Sequence, residues 1–121
     1  MLILVLPYPP SVNAIWRTPS TGKLAGRTLL SQKGRDYRGA VIRAVGGFTA
    51  LPGRLKVVIE ARMPDRRKRD LDNLPKAILD ALTHAGLWID DGQIDDLRIW
   101  RGPLVKGGAI VISIDSIDTC A

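Results

Sequence analysis

The apolar positions of this chain change period several times, and each change marks an element. LILVL, Leu2–Leu6, is a continuous apolar run of strand length. Residues 7–27, PYPPSVNAIWRTPSTGKLAGR, have no period. Their prolines, glycines and polar residues predict a loop, long for a small chain and of the kind that often carries function. Helical spacing begins after Ser31, a good N-cap, with Tyr37, Ala40, Val41, Ala44 and Val45 on one face until Gly46 and Gly47 end it. RLKVVIEARM, Arg54–Met63, is rich in β-branched residues and stops before Pro64, which predicts a second strand. A second helix is predicted from about Asn73 to Ala85, with Leu74, Ile78, Ala81, Leu82 and Ala85 on one face and Gly86 at its end. DLRIWR and AIVISI supply two more strands joined by the GPLVKGG turn region. The order β-α-β-α-β-β predicts a single α+β domain over residues 1–121, two main helices on a mixed or antiparallel sheet.

Composition narrows the class without naming it. A chain of 121 residues, 45% hydrophobic and 25% charged, fits one soluble globular domain. The opening apolar run is too short for a signal peptide or a membrane span and meets prolines at once. Cys120 is the only cysteine, which excludes an internal disulfide and a cysteine-based zinc site and fits a reducing cytoplasm.

Charge changes the picture. The net charge is +6 with a pI near 10.0, which makes a polyanionic partner plausible. Residues 1–60 hold nine Lys or Arg against Asp36 and Glu60, whereas eight of the twelve acids fall between Asp65 and Asp96. Carboxylates therefore gather in one stretch of an otherwise cationic protein. That stretch, MPDRRKRDLDNLPKAILDAL, sets Arg66, Arg67, Lys68 and Arg69 directly against Asp70 and Asp72.

Pro75 lacks an N–H and belongs in the first helical turn, so Asp72 or Asn73 is the expected N-cap. Asp70 then lies in the arriving chain. An extended backbone would point Asp70 and Asp72 the same way. Lys76 stands one turn along the helix from Asp72. WIDDGQIDD supplies a second acidic group, with Asp90, Asp91 and Gly92 as a turn. Carboxylates from a strand end, a helix start and this turn suit a hard, oxygen-seeking cation such as Mg²⁺, while a lone His84 makes zinc a poor choice. Structural readings compete at each position. Asp72 is good capping chemistry, Asp70 can pair with the basic run, DDG is an ordinary turn, and Lys76 can form surface ion pairs with Asp72 or Asp80 worth about 0.3 to 0.5 kcal/mol each. Trp88 and Trp100 read as core or interface, and Tyr8 and Trp16 as residues of the basic loop that could meet nucleic acid.

Three stretches, LPYPPSVNAIWR, MPDRRKRDLDNLPKAILDALTHAGLWIDDGQIDD and PLVKGGAIVISI, resemble the RusA family of Holliday-junction resolvases. With the matching order of elements, they cover nearly the whole chain. The resemblance implies a small homodimeric, Mg²⁺-dependent endonuclease that resolves four-way DNA junctions, of a kind often encoded by phages and prophages. Carried over by position, it implies metal-binding catalytic carboxylates at Asp70, Asp72 and Asp91, supported by Asp90, with Lys76 as the essential base-like or phosphate-contacting lysine. Tyr8 and Trp16 stand where the family loop has other aromatics, and Pro75 replaces a more usual polar residue.

The expected activity is hydrolysis of phosphodiesters at DNA branch points, with Mg²⁺, or Mn²⁺ in its place, as cofactor. Expected DNA contacts are Asn13, Arg17, Lys23, Arg27, Lys33, Arg35 and Lys106, together with Arg66, Arg67, Lys68 and Arg69. Two other classes remain open. One is a non-catalytic protein that binds branched DNA, in which the carboxylates only cap, turn and pair. The other is a metal-dependent phosphatase suggested by the DxD spacing, although RRKR in place of an apolar strand before it counts against that.

Overall fold

The structure is a computed structural model that describes residues 1–47 and 49–117, apart from the side chains of Val12 and Asn13. Cys120 and the Asn13 side chain, both singled out above, lie outside the described residues. The chain runs β1 (Leu2–Leu6), α1 (Val12–Ile15), β2 (Trp16–Arg17), β3 (Leu29–Leu30), α2 (Gln32–Val45), β4 (Leu55–Arg62), α3 (Pro75–His84), β5 (Ile94–Arg101) and β6 (Ala109–Ser116). Four strands form one mixed sheet in the order β1-β6-β4-β5, antiparallel except for the parallel pair β4 and β5. This is the expected α+β domain.

Alternation along the strands sets the core. Leu55, Val57, Ile59 and Ala61 of β4 and Ile110, Ile112 and Ile114 of β6 turn to one face and are buried. Tyr37, Val41 and Val45 of α2, with Ile78, Ala81 and Leu82 of α3, join the same buried cluster. Trp88 is buried with them, its indole N–H donating to Thr83 Oγ1 at 2.6 Å. Trp100 is not part of the core: it is 49% exposed on β5, which leaves the interface half of its expectation open. No helix among the described residues is long and apolar enough to cross a membrane.

Three boundaries differ from the sequence expectation. Residues 7–30 hold α1 and the tiny β2/β3 hairpin, which are too short to give a periodic signal. Ser31 caps α2 as expected, accepting from the Gly34 N–H at 3.1 Å, while its hydroxyl also donates to the Ala14 carbonyl and ties the loop down. Gly34 is needed here, because a Cβ would sit 2.8 Å from the Ile15 carbonyl oxygen and 2.7 Å from the Leu30 side chain. Next, β5 starts at Ile94, two residues early, because Ile94 pairs with Leu55 across a register shift.

Finally, α3 starts at Pro75 with Leu74 as N-cap, so neither Asp72 nor Asn73 caps it. A 3-10 turn, Leu71–Asn73, leads straight into the helix. Its backbone bonds, Asn73 N–H to the Asp70 carbonyl and Leu74 N–H to the Leu71 carbonyl, do the work expected of a capping side chain.

The parallel pairing decides what lies where. Leu55 faces Ile94 at one end of β4 and Ala61 faces Arg101 at the other. The Met63–Asn73 segment sits at the C-terminal end, where the Val105 N–H donates to the Met63 carbonyl at 3.0 Å and the Arg101 guanidinium donates to the Arg69 carbonyl. The Leu87–Gln93 segment sits at the N-terminal end. There the Leu51 N–H donates to the Leu87 carbonyl at 2.8 Å, and the Gln93 amide donates to the carbonyls of Leu51 and Gly53 at 2.9 Å each.

Candidate active site

Eleven of the twelve acids belong to the described residues, and most are committed. Asp80 pairs with Arg38 at 2.7 Å, Glu60 with Arg62 at 3.0 Å, Asp96 with Arg98 at 3.3 Å and Asp115 with the Met1 amino group at 3.7 Å. Asp95 pairs with Arg54, Asp65 with Arg69, and Asp36 accepts from the Gln32 amide at 2.8 Å. Asp90 forms a capping box with Gln93 at the start of the 3-10 turn Asp91–Gln93, so the ordinary turn reading holds for that residue. Asp70, Asp72 and Asp91 are left. All three are exposed, and among the described residues none has an ion pair or a side-chain hydrogen bond.

The basic run next to Asp70 does not neutralise it, and Asp65 explains why. Its carboxylate takes the Arg69 guanidinium, the Arg67 N–H at 2.9 Å and the Arg67 side chain at 3.8 Å. These contacts, the Arg69 hydrogen bond foremost, hold the Asp65 carboxyl well below its ordinary 3.8, at about 2. A lowered folded-state pKa means that the contact stabilises at every pH above the ordinary value and fades only as pH falls from 3.8 towards about 2. Arg69 therefore stays paired with Asp65 throughout the neutral range. Its guanidinium stands 6.0 Å from the centroid of the Tyr8 ring, whose hydroxyl donates to Met63 Sδ at 3.1 Å. Arg66 and Lys68 are exposed and have no carboxylate partner among the described residues.

Lys76 projects from the first turn of α3 and forms neither of the ion pairs considered for it. Asp80 is taken by Arg38, and the Lys76 ammonium lies 4.9 Å from the Trp16 ring centroid. Trp16 thus reaches the site as a platform under the lysine. Arg17, Lys23, Arg27, Lys33 and Lys106 are exposed with no carboxylate partner among the described residues. Arg35 donates to the Leu30 carbonyl and the Gln32 side chain instead.

Asp70, Asp72 and Lys76 belong to one short stretch entering α3. Only Asp70 is in extended backbone, while Asp72 lies in the 3-10 turn Leu71–Asn73, so the extended pair expected to point the same way does not form. Asp91 stands apart from all three, at the N-terminal end of β4 and β5, with the other two aspartates at the C-terminal end. The eight-residue β4 lies between them, which is roughly 25 Å at strand rise. Accordingly, no three His, Cys, Asp or Glu side chains among the described residues are placed to share an ion. The expectation that one chain gathers the turn with the helix start is corrected here. Turn chemistry was legible in DDG, whereas the direction of β5 relative to β4 was not. Asp65, the clamp on Arg69, was also missed; its only sequence signal is the four-residue spacing to Arg69.

Uncommitted carboxylates beside uncommitted cations are what an enzyme acting on a nucleic-acid backbone presents. A family model described as Endodeoxyribonuclease RusA matches residues 7–115, and the chain belongs to that family. It is 45% identical over 116 residues to the crossover junction endodeoxyribonuclease rusA of Enterobacteria phage 82, covering 92% of this chain and 91% of that protein. Identity is 44% over the same span, again 92% and 91%, to the crossover junction endodeoxyribonuclease RusA of Escherichia coli (strain K12). The counterpart from Enterobacteria phage HK97 is 42% identical over 118 residues, covering 95% and 94%.

Proposed function

We propose that the chain is a structure-selective endonuclease that hydrolyses phosphodiesters at four-way DNA junctions by paired incisions, acting as a homodimer with Mg²⁺ in the cytoplasm. One observation carries this reading: of the acids with described surroundings, Asp70, Asp72 and Asp91 alone are neither paired nor capping, in a protein of net charge +6. Exposed carboxylates with all their oxygens free are the donor set a hard divalent ion takes. Asp70, Asp72 and Asp91 would hold it, and when bound it would supply Lewis-acid stabilisation of the pentavalent phosphate. Water attacks phosphorus in line, the P–O bond opposite breaks, and the leaving oxygen ends protonated. Lys76, with no carboxylate partner among the described residues, neutralises the charge that builds on the phosphate oxygens. Arg66, Arg67 and Lys68 hold the flanking backbone.

The position of Asp91 supports the dimer. A two-fold axis crossing the strands sets the N-terminal end of β4 in one copy beside the C-terminal end in the other. The Asp91 of a second copy then completes the Asp70 and Asp72 pair, and two such sites face the two strands to be cut. The sheet offers a surface for this. On the face away from the helices, Val5, Val111, Glu60 and Trp100 lie in one cross-strand row, beside Ile3, Ser113 and Val58 in the next. Ile3 and Val5 are 54% and 64% exposed, an apolar stripe that a second copy would cover.

The deciding experiment incubates the protein with a labelled four-way junction with and without Mg²⁺. Paired cuts with Mg²⁺ or Mn²⁺ and none in EDTA are expected. Undiminished cutting in EDTA would remove the metal. Junction binding with no cutting under any divalent ion would make this a non-catalytic branched-DNA-binding protein. Arg67→Ala is expected to weaken binding to all branched DNA alike and to lower the salt slope by about 1, as loss of one phosphate contact must. An unchanged slope would take Arg67 out of the interface.

A further inference from the structure

The Lys76 ammonium sits over an indole and not beside a carboxylate. It lies 4.9 Å from the Trp16 ring centroid, although Asp72 stands four residues before it and Asp80 four after, the spacing at which helical ion pairs form. Asp80 is held by Arg38 at 2.7 Å. An exposed ion pair at this spacing is worth less than an ammonium over an indole face, so the ring outcompetes Asp72.

The backbone on both sides of Trp16 is tied down. Within the β2/β3 hairpin Trp16 pairs with Leu30 and Arg17 with Leu29. Just before it, Ile15 is buried and its carbonyl accepts from the Ser31 N–H at 2.7 Å, while the Ala14 carbonyl accepts from the Ser31 hydroxyl. The start of α2 therefore anchors the half-buried indole, and the first turn of α3 brings the lysine to it. The choice of partner matters chemically. A carboxylate would occupy the N–H donors of the ammonium and cancel its charge, whereas a ring face attracts it through a quadrupole and carries no net charge.

We propose that Trp16 is a positioning residue for the cut: its indole holds the Lys76 ammonium away from Asp72, with its N–H donors open to the phosphate. The proposal rests on the junction-cleaving reading and adds to it a residue from outside the acidic stretch. Trp16 acts through Lys76 and touches no reacting atom. Asp72 is kept clear of the lysine by the same contact.

The test measures single-turnover cutting of a four-way junction with Mg²⁺ at saturating protein, beside gel-shift affinity for the same junction. Trp16→Leu is expected to cut roughly tenfold more slowly with affinity unchanged within about twofold, the loss of one ammonium–ring contact in a desolvated site. Trp16→Phe, which keeps a ring, should stay within about threefold of wild type. Tryptophan carrying one, two or three ring fluorines, installed at residue 16 alone, keeps its shape while its quadrupole weakens, so the rate should fall at each step. A packing role would leave that series flat. A flat series, Trp16→Leu cutting as fast as wild type, or a Trp16→Leu loss confined to affinity overturns the proposal. If Trp16→Leu does not fold, the fluorinated series decides. The Lys76 ε-methylene proton resonance reads the contact without any cutting, since the ring should shift it upfield in wild type and not in Trp16→Leu. An unshifted resonance in wild type also overturns the proposal. Wild type that keeps the shift and cuts no junction overturns the junction-cleaving reading instead.

Discussion

Asp72→Asn is expected to bind a four-way junction at least as tightly as wild type and to cut it roughly a thousandfold more slowly, the equivalent of about 4 kcal/mol in the barrier. Removing a negative charge beside phosphates favours binding. Removing a carboxylate from the set proposed to hold the ion removes the charge stabilisation that hydrolysis needs. The structure makes this substitution unusually clean. Among the described residues Asp72 has no cation partner, and it caps neither the 3-10 turn nor α3, whose N-cap is Leu74. Thermal and urea unfolding should therefore match wild type within about 0.5 kcal/mol. Gel-shift titration, single-turnover cutting and a melting curve on the same preparation separate the possibilities. A joint fall in binding and cutting with a lowered melting point would make Asp72 a folding residue.

The second large effect is a gain. Asp70→Asn and Asp91→Asn should each be inactive alone, yet co-refolding the two should restore nicking. In a mixed dimer, one site joins both altered residues, while the other joins the intact Asp70 and Asp72 of one chain to the intact Asp91 of its partner. That dimer cuts one strand and leaves the opposed strand whole, a product readily told from a paired cut on a denaturing gel. If all three carboxylates came from one chain, every mixed dimer would be as inactive as its parents, and no nicked product would appear. A stable monomer on junction DNA in sedimentation would also end this arrangement.

Much of the fold is legible because burial imposes a period. The alternation of Leu55, Val57, Ile59 and Ala61, and the spacing of Tyr37, Val41 and Val45, hold from sequence to structure. Elements of two to four residues carry no period, so α1, β2 and β3 stay hidden in a loop. The start of α3 is misplaced for another reason. Asp72 is a better cap than Leu74 by residue type, but the backbone bonds of Leu71–Asn73 make a cap unnecessary. The candidate site divides the same way. That Asp70 and Asp72 stand near one another is legible, because only Leu71 separates them; that Asp72 sits in a 3-10 turn and not in extended chain is not. The position of Asp91 depends on whether β5 runs with β4 or against it, and no residue type encodes that. Likewise, which carboxylate holds Arg69 is a matter of reach in space: Asp70 adjoins it in sequence, but Asp65 takes it.

The sheet order carries a consequence for how the molecule is made. The β6 strand is the last described strand to leave the ribosome, yet it lies between β1 and β4 and pairs with both. Until Ala109–Ser116 arrives, β1 has no strand to pair with, and β4 presents a bare edge of backbone groups ready to pair with another chain. Contacts between β1 and β6 join residues more than a hundred positions apart, which slows folding and defers it until Ala109–Ser116 has been made. A nascent chain stalled before Ala109 is therefore a half-sheet whose open edge is ready to pair with other chains, the kind of surface that chaperones cover.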